Sequence, residues 1–304
     1  MTAPLRRLPG APNPVVYATL SVVLALGGAL SYVALSAAGA APRVEPEFSR
    51  LFLLPIPSSP SLMYLASLSL AGAMLGAYMY GRRMDSVEER LDRQLYAALR
   101  VYHTVAEASG SPQEAVRLLR TSIGEEPLYS MLSSVEALMS RGSSMEEAFR
   151  AVFSPAPRHL RMIAQMLPVA QRGGARMREV LEGALSYARE ISRMRRSLAN
   201  RLAPYRYVLL MANLLFSSVA GVTIGLIDLI NRGGLAPGFR AAVGTEDLTA
   251  LLWFSSLIVA LASSLIAGRI IRGKALLGGL FASVFVTLNT LVIINLPRIV
   301  GALA

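Results

Sequence analysis

Few residues in this chain have types and spacing suited to chemistry. Gly268-Arg-Ile-Ile-Arg-Gly273-Lys274 fits most of the phosphate-cradling loop G-x-x-x-x-G-K-[ST]. In that loop, backbone N–H groups hold phosphates and a closing Ser or Thr hydroxyl holds Mg²⁺. Here the closing position is Ala275, and an apolar run precedes the glycine where a strand is needed. A turn between two membrane spans accounts for these residues better than a nucleotide site. His103 and His159 are the only histidines, with no ligand spacing between them. Cysteine is absent, which excludes disulfides and thiolate metal sites. No paired carboxylates and no nucleophile–base set stand out. Asn213, Asn289 and Asp228 are the polar groups at or near membrane depth. Such groups can mark an ion path, but two amides and an end-of-helix acid suit interhelical hydrogen bonding better. No catalytic, cofactor-binding or metal-binding residue is assigned, and the chain is not read as an enzyme.

The elements that carry these residues follow from composition. Hydrophobic residues make up 54% of the chain and charged ones 16%; mean hydropathy is +0.49. A soluble domain carries nearer ~25% charged residues. The net charge of +11 could suit nucleic acid or the anionic inner leaflet of a membrane. The second fits the apolar runs, so no nucleic-acid partner is expected and membrane lipids are.

Five spans are predicted, at about 15–38, 61–81, 207–228, 248–268 and 275–296. Each has the length to cross ~30 Å of hydrocarbon at ~1.5 Å per residue. The first is too long for the h-region of a signal peptide. Residues 39–60 hold Pro55, Pro57 and Pro60, which oppose a continuous helix and predict an external loop. Gly72/Gly76 and Gly221/Gly225 form small-residue stripes that allow close helix packing.

Between the second and third spans lies a polar stretch, Arg82–Arg206, with 20 of the 30 basic and 14 of the 19 acidic residues. A phrase recurs in it at intervals of 32: Gly110-Ser111-Pro112-Gln113-Glu114, then Gly142-Ser143-Ser144-Met145-Glu146-Glu147, then a looser copy at Gly174. Each Gly suits the left-handed residue past a helix. Each Ser with a Glu three later predicts a capping box that starts the next helix. Six helices are expected: Ser86–Ser109, Ser111–Ser122, Pro127–Arg141, Ser144–Phe153, Arg158–Arg172 with a kink near Pro168, and Arg176–Leu202. Their apolar stripes include Leu91, Leu95, Ala98, Leu99, Tyr102 and Val105 on the first helix. On the last they include Val180, Leu181, Ala184, Ala188, Ile191 and Leu198. The fold class is therefore all-α, a polytopic membrane protein with an inserted six-helix bundle. The domains are 1–81, 82–206 and 207–304.

Basic residues set the orientation. Of 30, 25 fall on the side of residues 1–14, the polar stretch and the 269–274 turn. The positive-inside rule then puts the N-terminus and residues 82–206 in the cytoplasm and the C-terminus outside the cytoplasmic membrane.

Two spans, a six-helix polar domain and three more spans resemble the type II secretion system F-domain family. These are the platform proteins of type IV pili, type II secretion and archaella. The residues that carry the resemblance are Gly142-Ser-Ser-Met-Glu-Glu-Ala148-Phe149, Gly173-Gly174 with Val180-Leu181, and the closing Leu265–Gly279 stretch. That close is similar to the archaeal and tight-adherence (Tad) branches. Bacterial members often show Gly-Glu-x-[Ser/Thr]-Gly where this chain has Ala170-Gln171-Arg172-Gly173-Gly174, so a carboxylate metal site is not expected. The single F domain is similar to a Tad-like form that pairs with itself or with a similar platform subunit.

The resemblance implies docking, with a hexameric secretion ATPase and pilin-like subunits as partners. In an alternating bundle, the turns at Gly110, Gly142 and Gly173 fall at the end far from the membrane. That places Glu114, Glu146, Glu147, Arg172, Arg176 and Arg178 as candidate ATPase-facing residues. A solute transporter would instead show inverted repeats and broken helices, which the sequence lacks. A receptor with a helical signalling domain is the other alternative.

Overall fold

The computed structural model describes residues 8–39, 48–51, 54–109, 111–173, 177–231, 244–272 and 274–303. Ten α-helices account for most of them. In order they are α1 (Pro14–Ala37), α2 (Pro60–Ala108), α3 (Pro112–Ile123), α4 (Leu128–Met139), α5 (Met145–Val152), α6 (Arg158–Arg172), α7 (Met177–Leu202), α8 (Tyr205–Asn231), α9 (Thr245–Arg272) and α10 (Gly279–Leu303). Strands β1 (Phe48–Leu51) and β2 (Leu54–Pro57) pair antiparallel between α1 and α2. Five helical stretches, within α1, α2, α7–α8, α9 and α10, are long and apolar enough to cross a membrane.

Three expectations are corrected. The span at 61–81 and the helix at 86–109 are one helix of 49 residues. Between Arg82 and Ser109 there is no Gly or Pro to break it. The stretch predicted as an external loop, with no strand expected in it, holds the β1–β2 ladder, with Phe48 opposite Pro57 and Leu51 opposite Leu54. The last span opens with a 3-10 turn, Ala275–Gly278, and α10 then runs through Pro297 to Leu303.

The chain divides into two compact units. The helical unit comprises Met1–Pro12 and Arg82–Leu198. Its core is built by the stripes of α2 to α7: Leu91, Leu95, Leu99 and Tyr102 meet Val116, Leu119, Met131, Val135, Leu160, Ile163 and Leu181. Phe149 and Phe153 stack with ring centres 5.5 Å apart. Each fully buried large side chain of this kind contributes roughly 1.5–3 kcal/mol. Leu198, expected in the α7 stripe, is 58% exposed.

Helix ends in this unit follow local chemistry. Gly142 has φ +91°, and the N–H of Ser143 reaches back to the Leu138 carbonyl at 3.2 Å, a left-handed stop. Ser144 and Glu147 form a complete capping box. Ser111 accepts from the Glu114 N–H at 3.2 Å, while Glu114 turns to Arg117 instead of closing the box. Gly110 and Gly174–Arg176 lie outside the described residues. Gln94 on α2 bonds both the Leu128 N–H and the Glu126 carbonyl at the start of α4. Arg120 and Glu136 clamp α3 to α4 at 3.0 Å, beside the Tyr129 ring.

The second unit comprises Asn13–Gly81 and Ala199–Ala304. Both small-residue stripes are used inside it. A Cβ on Gly72 would strike the Leu24 backbone, and one on Gly76 would come within 2.6 Å of the Ser21 Cα. On α8, a Cβ at Gly221 would lie 3.0 Å from Leu296, and one at Gly225 3.0 Å from Val300. These glycines seat α1 on α2 and α8 on α10. Thr290 on α10 ties three helices together. It lies 2.6 Å from the Ser67 hydroxyl on α2 and accepts from the Trp253 indole on α9 at 3.1 Å.

Candidate functional site

The predicted loop at Gly268 is not a phosphate cradle. Residues through Arg272 are helical, and the backbones of Gly268 and Gly278 pack against each other, closer than any Cβ would permit. The glycines close the α9–α10 corner. Asn289 donates across to the Ser256 carbonyl at 3.3 Å, the interhelical role expected of it. Asn213 bonds the Leu209 carbonyl of its own helix.

His159 lines a concavity of about 400 Å³ with Glu89, Asp92, Arg93, Tyr96 and Ser192. It is placed by α6, while the acids come from α2. Tyr96 and Ser192 hydroxyls meet at 3.0 Å across its floor. His103 falls in α2, with its side chain outside the described residues. Among the described residues, no group of three or more His, Cys, Asp or Glu is placed to hold a metal ion.

The candidate docking residues divide. Glu146, at the first turn of α5, pairs with Arg150 one turn on and with Arg172 at the end of α6, each at 2.9 Å. The turn at 142–147 and the turn at 173 therefore meet. Beneath this pair, the Tyr102 phenol on α2 donates to the Gln171 side-chain oxygen at 2.7 Å and lies 3.8 Å from the Met145 sulfur. Tyr102 is fully buried, and that burial pushes its phenol well above the usual tyrosine range. The start of α5 and the end of α6 are thus held over one hydroxyl from α2.

Glu147 is committed to the capping box. The Ser144 backbone N–H, and then its hydroxyl, hold the carboxyl below the usual carboxylate range. Glu114 sits at the first turn of α3, 3.9 Å from Arg117, and has no ion pair with the Glu146 group. Arg178 pairs with Glu182 at 3.1 Å along α7. Arg176 lies outside the described residues.

Sequence reasoning missed Arg150, although its position four after Glu146 is the helix-surface spacing for an ion pair. It also missed the Tyr102–Gln171 bond. A buried tyrosine needs an acceptor, but nothing local says which one.

The surface over Tyr102 is therefore an ordered, alternating set of charges on helix ends, without the groups for bond-making chemistry. Residues 98–225 match the family described as Type II secretion system (T2SS), protein F. Comparison with curated proteins and with solved structures gave no match. The matched segment runs from α2 through α3–α7 into α8; this part of the chain is similar to the type II secretion system F domain, and five stretches are fit to cross a membrane.

Proposed function

We propose that this protein is the membrane platform of a type IV pilus, Tad or archaeal pilus assembly machine. In this reading it couples a cytoplasmic secretion ATPase to the insertion of pilin-like subunits. The helical unit and the N-terminus lie in the cytoplasm and the C-terminus outside. The observation that carries the reading is the F-domain match over 98–225. The charge asymmetry of the sequence supports the orientation.

The ATPase contact is assigned to the Glu146–Arg172 end of the bundle. Both residues are exposed enough to meet a partner while held by each other. An exposed pair of this kind contributes only ~0–1 kcal/mol to folding, so it can be rearranged without unfolding the unit. The charge swap Glu146→Arg with Arg150→Glu and Arg172→Glu keeps both intrachain pairs and reverses the field seen by a partner. The full chain in mild detergent should bind its co-encoded ATPase, and the swapped chain should fold normally yet bind at least tenfold more weakly. Normal binding and normal filament assembly by a folded swap variant would remove the assignment.

A further inference from the structure

The C-terminal turns of α7 carry two features that packing does not use. Met194 and Leu198 are 60% and 58% exposed, while Leu181, Ala184 and Ala188 of the same helix are buried. Between residues 189 and 206 the sequence has six arginines and one acid, Glu190. Arg120, Arg150, Arg172 and Arg178 each pair with a Glu. Arg189, Arg193 and Arg201 are exposed, and among the described residues no carboxylate pairs with them. At 3.6 residues per turn, Arg193, Met194, Leu198 and Arg201 fall within one arc of about 140°, away from the buried stripe.

The chain then enters α8, a stretch fit to cross a membrane. Tyr205 and Tyr207 stand exposed at its start. The Arg206 guanidinium lies 4.7 Å from the Tyr207 ring centre and donates to its hydroxyl at 2.8 Å. Amphipathic rings at the end of a span sit at headgroup level. Exposed apolar side chains flanked by arginine are the composition of a helix that lies against a bilayer interface. Four to eight basic residues beside a span bind anionic headgroups.

We propose that the C-terminal turns of α7 bind anionic phospholipid. Arg189, Arg193 and Arg201 meet the headgroup phosphates, and Met194 and Leu198 enter the acyl boundary. The phosphodiester is the recognised group, and the apolar pair ties it to a lipid rather than to free phosphate.

The test uses the full chain in detergent micelles, titrated with short-chain phosphatidylglycerol or phosphatidylcholine and read by native mass spectrometry. Phosphatidylglycerol should bind at least about tenfold tighter than phosphatidylcholine, and less tightly as salt rises. The triple variant Arg189→Gln, Arg193→Gln, Arg201→Gln should lose that preference. Arg117→Gln, Arg158→Gln, Arg161→Gln, which removes the same charge, should keep it. Inorganic phosphate should not displace the lipid. Equal binding of the two lipids by the unsubstituted chain, or salt-independent binding, overturns the proposal without any variant. Equal loss in both triple variants, or displacement by phosphate, overturns it as well.

Discussion

The side-chain amide of Gln94 on α2 spans the start of α4, accepting from the Leu128 N–H at 3.1 Å and donating to the Glu126 carbonyl at 3.0 Å. α4 begins after Pro127, which supplies no side-chain cap. The open donor of its first turn is therefore satisfied from another helix. Leu128 is fully buried, so water cannot replace the amide. Gln94→Met should keep the volume and lower stability by about 1–3 kcal/mol, the cost of orphaned buried groups. Chemical denaturation of the full chain in detergent, followed by circular dichroism, checks this. An unchanged midpoint would show that the bond contributes nothing.

Tyr102 joins α2 to α6 through Gln171. Burial raises its pKa, so the phenol keeps the proton that it donates to Gln171. Tyr102→Phe should cost about 1–2 kcal/mol by leaving the Gln171 oxygen without its partner. Tyr102→Phe with Gln171→Leu should cost less than the sum of the single changes, with a coupling of about 0.5–3 kcal/mol. Strict additivity in the four-variant cycle would mean that the two residues act independently.

Signals that act within a few residues were legible in the sequence. Apolar spacing located the α2 stripe from Leu91 to Val105. The Gly142 stop and the Ser144 box lay where the sequence placed them. What was not legible depends on how the chain returns on itself. Gly72 and Gly76 announce a close approach, but the partner, α1, is named only by the fold. Glu146 and Arg172 are 26 positions apart and meet only because α5 and α6 turn back on each other. The continuity of α2 was missed because charge at Arg82 and Arg83 marks where hydrocarbon ends, not where a helix ends. The β1–β2 ladder was missed because Pro55 and Pro57 argue against helix and equally against a central strand. In the two-stranded β1–β2 sheet of the described residues, β2 lies at an edge, where prolines are tolerated.

Glu147 gives the helical unit an acid-sensitive cap. Its folded pKa is depressed by bonds from Ser144. Its contribution is therefore complete above the unfolded carboxylate pKa and is lost as pH falls through the lower, folded value. At neutral pH the unsubstituted chain should be more stable than Glu147→Gln. The gap should close as pH falls through the carboxylate range and vanish below it. Thermal melts at several pH values measure the gap, and a gap that persists in acid would assign the effect to something other than this charge.

Gly72 and Gly183 should respond in opposite directions to the same substitution. A Cβ on Gly72 meets the Leu24 backbone, which cannot step aside, so Gly72→Ala should loosen α1 from α2 and destabilise the second unit. Gly183 sits exposed in α7 with nothing within 4 Å of a Cβ. There Gly183→Ala only reduces the freedom of the unfolded chain and should stabilise by about 0.4–1 kcal/mol. Melting temperatures of the two variants, measured side by side, decide it. A Gly72→Ala chain as stable as the unsubstituted one would mean that α1 does not seat there.

The first turn of the described chain belongs to the helical core. Leu8, Pro9, Gly10 and Ala11 form a tight turn closed by the Ala11 N–H on the Leu8 carbonyl at 3.0 Å. Pro9 supplies its fixed φ, and Gly10 takes φ +74°, which a side chain resists. The turn delivers Leu8 to the helical core, where it is 3% exposed. Leu8→Ala removes buried surface and leaves a void, which should cost about 2 kcal/mol or more. Gly10→Ala leaves Leu8 in place and meets no neighbouring atom, so its cost should be the left-handed strain alone, about 1–2 kcal/mol. Both changes should speed cleavage by a protease acting near the N-terminus of the full chain in detergent. They should slow it again when ligand or partner binding stabilises the helical unit. If both variants melt and are cut like the unsubstituted chain, the segment before α1 is not part of the helical unit.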